Sequence, residues 1–250
     1  MILNYALMLA AAFLAGALNA VAGGGSFLTL PALVFTGVPP VSANATGTVA
    51  LLPGYITGAW GFREDIESPP GISLRGVLVL SLIGGGLGAA LLLFTPDATF
   101  RKIVPWLLLA ATAMFAFGPK LREWAGATGA GTSAWKARCG ILAVAGYGGY
   151  FNGGLGILLL ALFGLLGQKQ LNAMNGMKNL VSALLTAIAV AIYAIGGVVE
   201  WPQALSMMVA AALGGYFGAR VARHIPAPWL RGGIVATGLV MSALFFYGSK

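Results

Sequence analysis

The chain has 250 residues, of which 59% are hydrophobic and only 8% are charged, and its formal net charge is +8. A soluble domain usually carries roughly 25% charged residues, so this composition excludes a water-soluble protein and indicates a helical membrane protein. The basic residues are spread over short connections, which argues against a nucleic-acid-binding face. The single cysteine, Cys139, excludes an internal disulfide.

The first half of the chain divides into five apolar segments, separated by glycine clusters or polar turns. They are residues 3–22, 26–36, 44–61, 75–95 and 101–118. The last three are long enough to cross roughly 30 Å of hydrocarbon as helices. The second would rise only about 16 Å, and it follows the break Gly23-Gly24-Gly25. We therefore expect the first two segments to form a broken, re-entrant pair.

A polar linker, residues 119–137, precedes a second half that repeats this organisation. Its apolar segments are residues 138–151, 156–166, 175–196, 203–222 and 230–248. At a fixed offset of 130 residues, eight glycines of the first half meet glycines of the second, where chance would give about three. We therefore predict an all-α polytopic membrane protein with two inverted repeats, residues 1–118 and 138–250. Each repeat would contain a broken segment pair and three full transmembrane helices.

Charge predicts the orientation in the membrane. An odd net number of crossings in each half inserts the two halves upside down relative to each other. One side then carries Arg63, Arg75, Lys120, Arg122, Lys136, Arg138, Lys169, Lys178, Arg220, Arg223 and Arg231. The other side carries only Arg101, Lys102 and Lys250. Because basic loops stay in the cytoplasm, both termini are expected on the outer side.

The residues beside the two glycine breaks suit an anion. A helix that starts after such a break directs unpaired N–H groups and the positive end of its dipole into the membrane. The backbone amides of Gly24, Gly25 and Gly154 are therefore predicted to bind substrate. Ser26 and Asn152 are suited either to cap these helices or to contact the ligand.

The segments that follow add Asn44, Thr46, Asn175 and Lys178 to the predicted substrate site. Lys178 either snorkels to the interface or faces the site and neutralises the anion. Asn175 lies three residues earlier, on the same helix face. The six acidic residues all fall in loops or at span ends, which disfavours a cation site or proton relay built on a buried carboxylate. No metal ligands recur at metal-binding spacing, and we expect no cofactor.

The glycine motifs resemble the sulfite exporter TauE/SafE family of membrane transporters. The resemblance rests on the stretches 16–26, 30–33, 43–46, 146–156 and 173–178 and on Gly37, in both halves of the chain. It implies movement of small sulfur-containing anions, such as sulfite, sulfonates or sulfoacetate, across the bacterial cytoplasmic membrane. Some members are associated with uptake and others with export, and proton coupling is compatible with the family.

We therefore expect a multi-pass secondary transporter of the inner membrane that exports a small sulfur-containing anion by alternating access. A passive anion channel built on the same residues is the alternative, and its flux would not saturate. An enzyme is disfavoured because no acid–base pair falls within the spans. The sequence leaves open the exact substrate, the direction of transport, the coupling ion, a homodimer, and whether the short segments form hairpins or full crossings.

Overall fold

The described part of the chain is almost entirely helical. The computed structural model describes residues 2–21, 24–127, 133–221 and 227–248. Within these ranges the chain forms ten α-helices and one 3-10 turn, Arg63–Asp65. The helices are α1 (Ile2–Val21), α2 (Ser26–Phe35), α3 (Pro40–Gly61), α4 (Leu74–Leu93), α5 (Asp97–Ala127), α6 (Ala134–Tyr150), α7 (Leu155–Leu165), α8 (Leu171–Ile195), α9 (Trp201–Val221) and α10 (Ala227–Gly248). Outside the described residues lie Gly23, residues 128–132 of the predicted linker, Arg223 and Lys250.

The two short segments are helices of the predicted length. α2 has 10 residues and α7 has 11, so they rise about 15 to 17 Å. Within the described residues, Leu74–Leu93 and Asn172–Ile195 combine the length and the hydropathy needed to cross a membrane on their own. α3 has 22 residues but carries Asn44, Thr46 and Thr48 in its first turns. Neighbouring helices must therefore cover its polar groups.

The helix α5 is longer than the sequence predicts. The expected span 101–118 was followed by a polar linker from residue 119, whereas α5 continues to Ala127. The segment 120–127 is rich in good helix formers, such as Lys120 and Leu121, so charge there marks the end of the apolar span and not the end of the helix. The division into two repeats around this segment stays a prediction.

The helices α6 and α7 form a hairpin. Gly148 of α6 lies against Leu155 at the start of α7, and Gly140, two turns earlier in α6, lies against Leu162. Residues nearer the N-terminus of α6 thus contact residues nearer the C-terminus of α7, so the two helices are antiparallel. Gly154, which precedes α7, has a φ of +74°, a backbone conformation that only glycine adopts without strain.

The helices α1 and α2 form a corresponding hairpin. The Gly25 amide donates to Asn19 Oδ1 over 3.0 Å, and side chains from residues 7–14 of α1 and 28–35 of α2 line a common groove. α2 therefore lies alongside α1 and does not continue it.

Both hairpin tips lie beside the middle of a long helix. Gly25 lies against Leu51, the twelfth of the 22 residues of α3. Gly154 lies against Ala111, the fifteenth of the 31 residues of α5. The helices α2 and α7 therefore begin inside the protein, as the two glycine breaks predict.

One contact between two helix starts and one contact between two loops define the two ends of the molecule. The Val41 amide, at the start of α3, donates to Asp97 Oδ1, at the start of α5, over 2.9 Å. We call this the Asp97 end. At the opposite end, the Gln168 end, Gln168 Nε2 donates to the Glu67 carbonyl over 2.6 Å. The basic residues in or beside these loops are Arg63, Arg75 and Lys169 at the Gln168 end, and Arg101 and Lys102 at the Asp97 end.

Two helix pairs, α1 with α9 and α4 with α6, pack with their backbones almost in contact. A Cβ atom added to Gly214 of α9 would lie 1.8 Å from the Phe13 carbonyl oxygen of α1. A Cβ atom added to Gly88 of α4 would lie 2.0 Å from the Gly146 carbonyl oxygen of α6. Helices in lipid associate through close packing because the lipid is as apolar as their side chains. The glycines therefore hold these pairs together.

The helix packing shows a repeat. Shifting each helix number by five, up or down, converts one packed pair of helices into another packed pair. The pair α1–α9 becomes α6–α4, and α2–α3 becomes α7–α8. Likewise α4–α8 becomes α9–α3, and α5–α7 becomes α10–α2. The pairs α3–α8 and α5–α10 map onto themselves. The helices α3 and α8 therefore occupy equivalent places in this arrangement, and they pack against each other.

Candidate functional site

Polar side chains follow the packed faces of α3 and α8, which run antiparallel. Gly58 of α3 lies against Asn179 of α8 toward the Gln168 end. Toward the Asp97 end, Asn44 of α3 and Tyr193 of α8 donate to successive carbonyls at the end of α6. The polar residues of each helix are three, four or seven positions apart, which places them on one face. We call them the polar seam: Asn44, Thr48 and Tyr55 of α3, and Asn175, Lys178, Ser182 and Thr186 of α8.

Asn152, in the tip of the α6–α7 hairpin, connects the two sides of the polar seam. It is 3% exposed. Its Oδ1 accepts a hydrogen bond from the Tyr55 hydroxyl over 2.9 Å, and its Nδ2 donates to Thr186 Oγ1 over 3.4 Å. The side chain therefore does not cap α7, which was one of its two predicted roles. It places a polar group between the middle parts of α3 and α8.

The tip of the α1–α2 hairpin brings Gly24, Gly25 and Ser26 together, all three buried. The Gly25 amide is bound to Asn19 Oδ1, so it is not free to meet a ligand unless Asn19 moves. The Nδ2 of Asn19 is buried and makes no well-formed hydrogen bond among the described residues, although the Tyr55 hydroxyl lies close to this side chain. Asn19, which the site prediction did not include, therefore supplies a donor at this tip. Ser26 makes no side-chain cap for α2.

Lys178 is 5% exposed, in the half of α8 toward the Gln168 end. Its Nζ donates to Asn175 Oδ1 over 3.2 Å, which confirms that the two side chains share a face. Among the residues that the structure describes, the ion pair is Arg63–Glu64. No carboxylate of these residues lies within 4 Å of the Lys178 ammonium. A buried lysine whose bonded partner is a neutral amide leaves a local excess of positive charge.

Ser182 extends this donor-rich region by one helical turn from Lys178. Its hydroxyl is buried, and it has no hydrogen-bond partner among the described residues. Within the described ranges, no three His, Cys, Asp or Glu side chains gather closely enough to hold a metal ion. The groups available here are an ammonium, amides and hydroxyls. Such groups suit an oxyanion, whose oxygens accept several hydrogen bonds.

Two predicted site residues lie in the half of α3 toward the Asp97 end. Asn44 Nδ2 donates to the Tyr150 carbonyl over 3.0 Å, at the end of α6. Thr46 Oγ1 accepts a hydrogen bond from the Glu200 amide over 3.0 Å, just before α9. Because α3 and α8 are antiparallel, both residues lie toward the opposite end of the molecule from Lys178. Their bonds hold α3 to the neighbouring helices.

The predicted residues therefore fall into three groups between the two ends of the molecule. Asn44 and Thr46 lie toward the Asp97 end, the hairpin-tip residues lie in the middle, and Asn175 and Lys178 lie toward the Gln168 end. The site prediction missed Asn19, Tyr55, Ser182 and Thr186. Helical spacing from Lys178 could have found Ser182 and Thr186, which lie four and eight positions further along α8.

Replacing Tyr55 with phenylalanine should destabilise the centre of the seam. The change leaves the buried Asn152 Oδ1 without its donor, and an unsatisfied buried polar group costs roughly 1–3 kcal/mol. We expect a lower midpoint of thermal unfolding for the purified variant in detergent. Tyr5→Phe, which alters a 39% exposed tyrosine of α1, is the matched control and should leave the midpoint unchanged. Equal midpoints for both variants would mean that the Tyr55 hydroxyl bond contributes nothing to stability.

Comparisons with known proteins agree with this picture of a membrane protein. The family model for the sulfite exporter TauE/SafE matches residues 8–245. The probable membrane transporter protein of Haemophilus influenzae is 28% identical over 260 residues, covering 97% of this chain and 94% of that protein. The probable membrane transporter protein YfcA of Escherichia coli K12 is 28% identical over 246 residues, covering 95% of this chain and 88% of that protein. No solved structure matches the chain.

Proposed function

The chain belongs to the sulfite exporter TauE/SafE family of multi-pass membrane transporters, and from this premise we propose that it is a secondary transporter of small sulfur-containing anions. The proposed substrates are sulfite, a sulfonate or sulfoacetate. The proposed direction is export across the bacterial cytoplasmic membrane, by alternating access. The family is one of transporters and not of enzymes.

The buried ammonium of Lys178 is the observation that carries the proposal. A charge inside a membrane protein is costly, so such a charge is normally paired or functional. Its bonded partner here is the neutral amide of Asn175, and no described carboxylate neutralises it. A mobile anion that arrives and leaves would supply the missing charge. A permanent carboxylate partner would remove the attraction for such a substrate.

Two buried donors support an oxyanion as the substrate. The Ser182 hydroxyl, one turn from Lys178, and the Asn19 Nδ2 are buried and make no well-formed hydrogen bond among the described residues. Buried polar groups in proteins normally have partners, and those without one require an explanation. A sulfite or sulfonate group presents three oxygens, and each accepts hydrogen bonds from such donors. We infer that the substrate rests between Lys178 and Asn152, with the hairpin tips beside it.

The repeated helix pairs support two inverted repeats and alternating access. Exchanging each helix with the one five positions away preserves the main pairs, which is expected if two related halves pack around one axis. Substrate sites in such transporters lie between the halves, and one part rocks against the other. We propose that the two hairpins move against α3 and α8 and open the seam at one end at a time.

The basic residues support placing the Gln168 end in the cytoplasm. Arg63, Arg75 and Lys169 belong to that end, and Arg101 and Lys102 belong to the other. Cytoplasmic loops retain positive charge, so the Gln168 end is proposed to face inward and both termini outward. Lys178 would then meet the substrate from the cytoplasmic side, which suits an exporter.

Flux through purified protein in liposomes tests the function. Vesicles loaded with sulfite, sulfoacetate, taurine or chloride are diluted into empty buffer, and efflux is followed with and without the same anion outside. Saturable efflux of a sulfur oxyanion that speeds up with external substrate supports alternating access. Efflux that responds to chloride and sulfite equally would contradict the proposed substrate class.

The same vesicles separate a transporter from a passive anion channel. A channel would carry current that rises with concentration and does not saturate, and external substrate would not accelerate efflux. That result would replace alternating access with an open pore along the same seam. An imposed pH gradient tests proton coupling, which is compatible with the family. Coupled transport would accumulate substrate against its own gradient, whereas uncoupled transport would stop at equal concentrations.

A further inference from the structure

A groove of about 700 Å³ lies between the α1–α2 hairpin and α10. It is bounded by α1, α2 and α10, and none of the residues that line it belongs to the polar seam. Its walls are apolar and include Leu14, Leu28, Val34, Met241 and Phe245. Leu14 is 53% exposed, so the groove is open to the surroundings of the protein. In a membrane protein those surroundings are lipid.

Among the described residues that line the groove, Arg101 is the charged one and the others are apolar. It lies in the second turn of α5, close to the Asp97 end of the molecule. Side chains on a helix lean toward its N-terminus, which for α5 is the Asp97 end. The guanidinium can thus reach the membrane surface while the aliphatic part of the side chain remains in the apolar groove. Among the residues that the structure describes, the ion pair is Arg63–Glu64, so Arg101 forms no ion pair with any carboxylate of these residues.

We propose that this groove binds an anionic phospholipid. One acyl chain lies between the α1–α2 hairpin and α10, and the phosphate pairs with Arg101. The volume falls within the range of roughly 300–1,000 Å³ that small-molecule sites occupy. The position of the charge matches the geometry of a lipid, whose single phosphate lies at the surface end of its long apolar chains.

The preference among lipids must come from Arg101. An acyl chain gains little when it moves from the bilayer into the groove, because lipid tails are as apolar as the groove walls. A guanidinium forms strong, paired hydrogen bonds to phosphate oxygens. A phospholipid with a net negative head group should therefore be retained over a zwitterionic one with the same chains, whose own cation competes with Arg101.

Native mass spectrometry of the detergent-purified protein tests the site. The protein is equilibrated with equal amounts of phosphatidylglycerol and phosphatidylcholine that carry identical acyl chains. The wild type should retain severalfold more phosphatidylglycerol, and Arg101→Gln should retain the two lipids equally. Lys102→Gln removes the neighbouring charge, which does not line the groove, and should keep the preference. Ala11→Phe fills the groove while Arg101 stays intact, and should reduce the retention of both lipids.

Four outcomes would overturn the proposal. The first is equal retention of the two lipids by the wild type, and the second is an unchanged preference in Arg101→Gln. The third is displacement of phosphatidylglycerol by inorganic phosphate, which would identify a simple anion site with no role for the chains. The fourth is a second copy of the chain bound in place of lipid, with loss of that dimer in Ala11→Phe.

Discussion

Replacing Lys178 with alanine should reduce anion transport by roughly 10–100-fold at low substrate concentration while leaving the protein folded. The factor follows from the loss of one charge-assisted hydrogen bond, worth about 1.5–3 kcal/mol. Folding should be unaffected or slightly improved, because the variant no longer buries an ammonium that lacks a described carboxylate partner. Efflux from proteoliposomes and the midpoint of thermal unfolding measure the two effects separately.

Variants at Lys178 and at a second lysine distinguish charge from shape. Lys178→Arg keeps the charge and should retain part of the transport, whereas Lys178→Met keeps much of the side-chain length and should be as inactive as the alanine variant. Lys169→Ala alters an exposed lysine in the loop before α8 and should transport normally. Wild-type transport by Lys178→Ala at normal expression would remove Lys178 from the substrate site and leave snorkelling as its role.

Replacing Gly88 with alanine should prevent stable folding. The added Cβ would lie 2.0 Å from the Gly146 carbonyl oxygen, and neither backbone can move aside without separating α4 from α6. Overpacking typically costs 1–3 kcal/mol when side chains can adjust, so a clash between two backbones should cost about 3 kcal/mol or more. The variant should accumulate poorly in membranes, and whatever is purified should unfold at a clearly lower temperature.

Gly86→Ala is the matched control, two residues earlier on the same helix. A Cβ atom at Gly86 would lie 3.7 Å from its nearest neighbour, the Ile192 Cδ1, which is ordinary van der Waals contact. The gain in helix propensity is at most about 1 kcal/mol, so this variant should fold at least as well as the wild type. Similar unfolding temperatures for the two variants would show that the tight α4–α6 contact is not what stabilises the fold.

Hydropathy and glycine spacing predict the helices well because both features report local geometry. The short segment 26–36 corresponds to α2 (Ser26–Phe35), and 156–166 corresponds to α7 (Leu155–Leu165). An apolar run shows how far a helix can remain in lipid, and a glycine break shows where it must stop. The end of α5 at Ala127 shows the limit of this reasoning. Charge reports where the lipid ends, and a helix can continue beyond that point.

The bonds within the site are not readable in the same way. Tyr55 meets Asn152 across 97 residues of sequence, and Asn152 meets Thr186 across 34. The spacing of polar residues on one helix predicts a common face, but it does not identify the partner opposite that face. The Gly25 amide was expected to be free, but it donates to the side chain of Asn19, six residues earlier. The composition of a tip reveals no such local competition.

The end of α6 has a consequence for the order in which the protein is assembled. The last carbonyls of a helix have no partner within that helix, and here Gly149 and Tyr150 receive theirs from Tyr193 and Asn44. Asn44 leaves the ribosome before this hairpin, but Tyr193 follows Gly149 by 44 residues. In a nascent chain that ends after α7, the Gly149 carbonyl therefore lacks the Tyr193 hydroxyl as its donor. Inside a membrane no water replaces this donor. Biogenesis of the hairpin is complete only after α8 has been synthesised and has inserted beside it.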